Sequence, residues 1–194
     1  MEMLSSFVGN EIGRILPRDS NESYVRAYLA KLRRGVGKKP GSLPDIWEFT
    51  LKNLPEEFIS RTGDPTRVEW AAHMAITLFA LHQQGKSLPD NPMSVFGKPL
   101  GSAVHVLKMK SGEAAEQAIK RRFDAVVTSD SPEELAHHLR GLIQLLRSKD
   151  IPLDYPRLAV DLYRFQSPEY RDGVRLQWGR DYCKIRKDEE NDEQ

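Results

Sequence analysis

The sequence predicts an all-α protein, and three observations carry that prediction. Apolar residues recur at steps of three and four, runs of alternating β-branched residues are missing, and acids, Ser or Pro precede the apolar stripes while Gly follows them. The length, 194 residues, suffices for one domain or two small helical halves without a disulfide or metal to hold the core.

Tyr24, Val25, Tyr28, Leu29 and Leu32 form the first stripe, which ends at Gly35. Asp64-Pro65 is expected to open a second helix as N-cap acid and first-position proline, with Val68, Ala71, Ala72, Ala75, Leu78 and Phe79 on one face and Gly85 as the stop. Ala115, Ala118, Ile119, Arg122, Phe123 and Val126 mark a third. There Arg122 shares the side of Ala118 and Phe123, while Lys120 and Arg121 point to water. Ser131-Pro132-Glu133-Glu134 is a capping box, in which the serine oxygen accepts from an open amide and Glu134 reaches back. It starts a helix over 131–149 with the buried stripe Leu135, Leu139, Leu142 and Leu146. A shorter helix spans 156–165, and the last carries Val174, Trp178, Tyr182 and Ile185. Trp47, Trp70 and Trp178 fit apolar stripes and are expected in the core. The Pro- and Gly-marked stretch 85–98 is the expected joint between an N-terminal bundle, 1–88, and a C-terminal bundle, 98–187; the charged tail 188–194 is expected to be disordered. The fold expected is thus two packed helical bundles.

Composition excludes several classes. The longest nearly apolar run, Ala71 to Leu81, is broken by His73, and a membrane-spanning helix needs about twenty residues. The N-terminus has no basic segment before its short apolar stretch, so no secretory signal is read there. Cys183 is the single cysteine, which suits a reducing cytoplasm.

The net charge of +1 conceals a pattern. Residues 1–44 hold eight Lys/Arg against four Asp/Glu, residues 45–97 four against seven, residues 98–187 seventeen against twelve, and residues 188–194 five acids with no base. Two basic regions around an acidic middle suit a polyanion binder. The same counts also fit cations that merely solubilise helix faces.

Catalytic chemistry finds no support. None of the five histidines stands in an H-x-x-x-H pair, and the adjacent His137 and His138 are expected on different helix faces, so no metal site is read. Cys183 falls late in a helix, where the dipole disfavours a thiolate, and is expected to pack near Trp178 and Tyr182. Glu56-Glu57 and Glu133-Glu134 each follow a proline in a first helical turn, where acids complement the dipole. The expectation is a non-enzyme without cofactor or metal.

Anion binding is better supported. Arg33-Arg34-Gly35-Val36-Gly37-Lys38-Lys39 places four cations in seven residues, with glycines that let a phosphate approach backbone amides. Lys120, Arg121 and Arg122 cluster on one helix. Arg140 and Arg147, seven apart, share a flank of the 131–149 helix.

In order, Tyr28-Leu29-Ala30-Lys31-Leu32-Arg33-Arg34-Gly35, Phe96-Gly97-Lys98-Pro99-Leu100-Gly101, Arg121-Arg122-Phe123, Leu139-Arg140-Gly141-Leu142-Ile143 and Leu153-Asp154-Tyr155-Pro156-Arg157-Leu158-Ala159 resemble the CasB-type small subunit of the type I-E CRISPR Cascade complex. The resemblance implies a non-enzymatic helical subunit that binds other Cascade subunits and a second copy of itself. It also implies contacts to the crRNA guide and to the displaced, non-target single strand of DNA, without sequence preference. Arg33, Arg34, Lys98, Arg121, Arg122 and Arg140 match motif positions; Lys38, Lys39, Lys120 and Arg147 join them on charge alone. Two other readings stay open, a helical protein-interaction scaffold and a DNA-binding regulator. Against the regulator, the 131–149 helix begins with acids that would repel phosphates.

Overall fold

The structure is a computed structural model and describes residues 1–15, 22–86 and 90–183. The protein is all-α, a bundle of helices packed on one another. In chain order they are α1 (Glu2–Ile15), α2 (Glu22–Arg33), α3 (Trp47–Thr50), α4 (Arg67–His82), α5 (Leu100–Ser111), α6 (Glu113–Thr128), α7 (Pro132–Ser148), α8 (Tyr155–Phe165) and α9 (Pro168–Cys183). Single 3-10 turns at Pro44–Ile46 and Glu56–Phe58 lie between α2 and α4.

The start of α4 differs from expectation. Its N-cap is Thr66: the Thr66 hydroxyl accepts from the Glu69 amide at 3.1 Å, and the Glu69 carboxylate accepts from the Thr66 amide at 2.6 Å. A reciprocal box needs Glu or Gln three residues after the cap, and the residue three after Asp64 is Arg67. Asp64 instead takes the ammonium of Lys39 at 2.8 Å. At α7 the Ser131 hydroxyl accepts from the Glu134 amide at 3.1 Å, as expected. The Glu134 side chain reaches one residue farther back, to the Asp130 amide at 2.9 Å.

Helix α4 organises the molecule. Every residue from Val68 to His82 is buried, so the helix is enclosed on all sides rather than on one face, with α1, α2, α3, α7 and α8 around it. On the far side α5 packs on α9, α6 spans α5 and α7, and α8 touches both α9 and α1. The buried apolar side chains form one cluster that runs from Leu4 in α1 to Trp178 in α9. Gly101 sets the spacing of α5 and α9, because a Cβ there would stand 2.2 Å from the Trp178 carbonyl oxygen.

Two sequence motifs meet in space. The Leu153 amide donates to the Met93 carbonyl and the Val95 amide to the Leu153 carbonyl, both at 3.1 Å, and the Asp154 amide donates to the Lys98 carbonyl at 2.8 Å. The Asp154 carboxylate accepts from the Gly97 amide at 2.9 Å and, as N-cap of α8, from the Arg157 amide at 3.0 Å. The segment expected as a joint is therefore strapped to the start of α8 over 93–98.

Two side chains expected in the core are outside it. Trp47 is 45% exposed and donates from Nε1 to the Gly41 carbonyl at 2.9 Å, because Ile46 and Phe49 take the inward positions of that short segment. Cys183, the last residue of α9, is exposed, while Trp178 and Asp181 face inward. Ile185 and the acidic tail lie outside the described residues. Among the described residues no helix is long and apolar enough to cross a membrane.

Candidate nucleic-acid interface

The basic loop after α2 is clamped on α4. His73, buried in α4, donates from Nε2 to the Gly35 carbonyl at 2.9 Å. A Cβ on Gly35 would lie 2.8 Å from both the Ile46 Cδ1 and Thr77 Cγ2 atoms, so the absence of a side chain there lets the loop pack closely on α4. Gly37 and Gly41 then turn the loop with φ of 75° and 80°.

The ten candidate cations divide by their partners. Arg34 is ion-paired with Asp45, Lys39 with Asp64 at 2.8 Å, and Lys120 with Asp124 at 2.6 Å. Arg33, Lys38, Lys98, Arg121, Arg122, Arg140 and Arg147 form no ion pair among the described residues. The acidic middle of the chain thus neutralises Arg34 and Lys39 of the first basic region, while Arg33 and Lys38 beside them form no ion pair among the described residues.

Five of the uncompensated arginines lie on α2, α6 and α7. On α7, His137, Arg140, Gln144 and Arg147 fall on one face, and Arg140 and Arg147 are separated by ~10 Å along the axis. On one flank of that face Arg121 and Arg122 of α6 meet His137, His138 and Gly141 across a groove of about 410 Å³. On the other flank Arg147 reaches the end of α4, donating from Nη1 to the Gln84 Oε1 atom at 2.7 Å and to the Leu81 carbonyl at 3.4 Å. Beside it stands Arg33, at the end of α2. Partial burial, and secondarily the Arg147 charge, push the Arg33 pKa below its ordinary value. Two like charges that act on each other without a carboxylate partner repel, and an anion placed between them relieves that repulsion.

Arg122 corrects an expectation: it is exposed like its neighbours, its Nη1 donating to the Ala118 carbonyl at 3.3 Å, since Ile119, Phe123 and Val126 suffice to fill the inward face of α6. His137 and His138, expected apart, both line the groove with ring centroids 5.3 Å apart. His138 also stands 3.7 Å from the Glu134 carboxylate. Lys38 and Lys98 are exposed, lie on loops and are not among the residues that line this groove. Among the described residues no three His, Cys, Asp or Glu side chains gather as a metal site.

The family model of CRISPR-associated protein Cse2 matches residues 28–182. This chain belongs to the Cse2 family. Among solved structures it is similar to CasB from Thermobifida fusca, with a TM-score of 0.72 and 32% identity over 93% of this chain and 97% of that one. It is also similar in fold to M. ruber CasB, with a TM-score of 0.65 and 22% identity over 93% of this chain and 91% of that one. No curated protein matches it. The span matched to Cse2 takes in all ten candidate cations and leaves out α1, although α1 contributes Leu4, Phe7, Val8, Ile12 and Ile15 to the core.

The juxtaposition of Arg33 with Arg147 is absent from the sequence reading, because it depends on how α2, α4 and α7 pack. Phe96, read only as a motif residue, is 95% exposed. Its position before a glycine and a lysine in a Pro-marked stretch was the signal available.

Proposed function

We propose that this Cse2-family chain is a non-catalytic small subunit of a type I-E Cascade complex whose arginine strip holds nucleic-acid backbone, that of the crRNA guide and of the displaced non-target strand. Its partners on this reading are the other Cascade subunits, a second copy of itself, crRNA and single-stranded DNA, in the cytoplasm. Family membership supports the small-subunit role.

The observation that carries nucleic-acid binding is the uncompensated Arg33–Arg147 pair at the end of a strip continued by Arg140, Arg121 and Arg122. Guanidinium groups bind phosphate through paired N–H donors, and phosphate contacts position a strand without reading its sequence. R-loop formation exchanges one duplex for another of similar stability, so modest contacts to the displaced strand shift the balance toward the open state. Lys38 and Lys98 extend the charge. Arg34, Lys39 and Lys120 contribute less, since each must leave a carboxylate to meet a phosphate.

The test uses the assembled complex on a target duplex, with R-loop lifetime read by single-molecule supercoiling. Arg33→Ala with Arg147→Ala is expected to shorten that lifetime while the rate of target recognition changes little. An unchanged lifetime would overturn the reading.

A further inference from the structure

Phe96 is the most exposed large apolar side chain among the described residues, at 95%. Leaving a whole aromatic ring in water forgoes the free energy of burying it, and nothing about the loop requires it. The backbone there is fixed: Val95 and Leu153 are hydrogen-bonded, Gly97 donates to the Asp154 carboxylate with a φ of 77°, and Met93 is completely buried beneath. The loop fixes the backbone on either side of the ring, which stands in solvent.

The base of the loop is joined to the end of α4 that Arg147 contacts. Gln83 accepts the Met93 amide at 2.8 Å and donates to the Asn91 carbonyl at 3.2 Å, and the next residue, Gln84, is the partner of Arg147. Lys98, exposed and without an ion pair among the described residues, follows Phe96 around Gly97. A protein-docking anchor sits amid other apolar side chains that exclude water around it. Here, among the described residues from 60 to 108, no other large apolar side chain is exposed, and the neighbour on the turn is a cation. An isolated ring beside a cation is instead the pairing that takes one base and its phosphate, and a phenyl face accepts any base.

We infer that Phe96 is a stacking platform for an unpaired base of single-stranded nucleic acid at the edge of the arginine strip, with Lys98 taking the adjacent phosphate. The inference rests on the backbone-binding reading and adds to it a contact that does not depend on charge.

The experiment titrates the full chain with oligo-dT and with a strand of the same length whose central residues are abasic, at several salt concentrations. Phe96→Ala is expected to weaken oligo-dT binding by roughly 5- to 100-fold with an unchanged salt slope, and Phe96→Trp to keep wild-type affinity. Phe96→Leu is expected to lose as much as Phe96→Ala. The abasic strand should bind wild type more weakly, with no further loss on Phe96→Ala. All three variants should keep the wild-type melting temperature, since the ring packs on nothing. Wild-type affinity for Phe96→Ala, alongside a lowered salt slope for Arg33→Ala with Arg147→Ala, would overturn the stacking inference and leave the backbone reading standing. The same affinity with loss of co-purifying Cascade subunits would make Phe96 a protein anchor, again overturning it. No salt-sensitive binding by wild type would remove both.

Discussion

Arg33 and Arg147, from the ends of α2 and α7, are near enough for the Arg147 charge to act on Arg33, and neither is ion-paired with a carboxylate among the described residues. Their neighbour Arg34 differs: it is held by Asp45. Single-strand affinity falls with salt by about 0.7 in slope per phosphate contact. Arg33→Ala and Arg147→Ala are each expected to lower the slope by about 0.7, and Arg34→Ala by much less, in filter binding with unrelated single strands.

Gly101 is expected to be irreplaceable. The Cβ of Gly101→Ala would press on the Trp178 carbonyl and on the Tyr182 amide, 2.9 Å away, both backbone atoms that cannot turn aside. Separating α5 from α9 should cost about 3 kcal/mol in urea unfolding, whereas Gly141→Ala, with nothing within 4 Å, should be neutral or stabilising.

These two residues also mark what the sequence made legible. Helix α7 was readable because its cap, Ser131, and its leucine stripe are both local signals. Helix α5 was not: it has no side-chain cap, begins after Pro99, and depends on α9 packing against Gly101. Helix α1 has a periodic stripe in Leu4, Phe7, Val8 and Ile12, a local signal as legible as that of α7. Trp47 was misplaced because the helix containing it, Trp47–Thr50, is too short for periodicity to define a buried face. For the site, charge clustering located the basic residues, and the i,i+4 spacing of Lys120 and Asp124 already contained their pairing. The neutralisation of Arg34 and Lys39 and the meeting of Arg33 with Arg147 are tertiary facts that no spacing reveals.

Asp154 acts twice, capping α8 and anchoring Gly97. Asp154→Ala should destabilise the protein by about 2 kcal/mol, with Asp154→Asn recovering most of it, as measured by thermal unfolding. Amide exchange in 93–98 should rise in the alanine variant ahead of the remainder of the chain.

His82 is fully buried, with Nδ1 3.0 Å from the Tyr155 hydroxyl, and its pKa is lowered from 6.5 to about 3, mainly by burial and next by Lys86. Burial lowers the pKa of His73 too. The folded state therefore binds these protons later than the unfolded chain does. For His82 the contribution to stability is complete above pH ~6.5 and is lost as pH falls from there toward about 3, by roughly 1.4 kcal/mol per pH unit; the lowered pKa of His73 acts in the same direction. His82→Gln should reduce the slope of stability against pH by about one proton between pH 6 and 4, measured by urea titration.

The exposed Cys183 should react with Ellman's reagent in the folded protein. Cys183→Ala should shift stability by less than about 0.5 kcal/mol and leave single-strand binding unchanged.

The most direct test of the account is the salt dependence of single-stranded DNA affinity for the triple variant Arg33→Ala, Arg140→Ala and Arg147→Ala against wild type. If the strip holds backbone phosphates, the slope falls by about 2 and affinity drops equally for unrelated sequences, with the helical content unchanged. Equal affinity and equal slope in variant and wild type would contradict it.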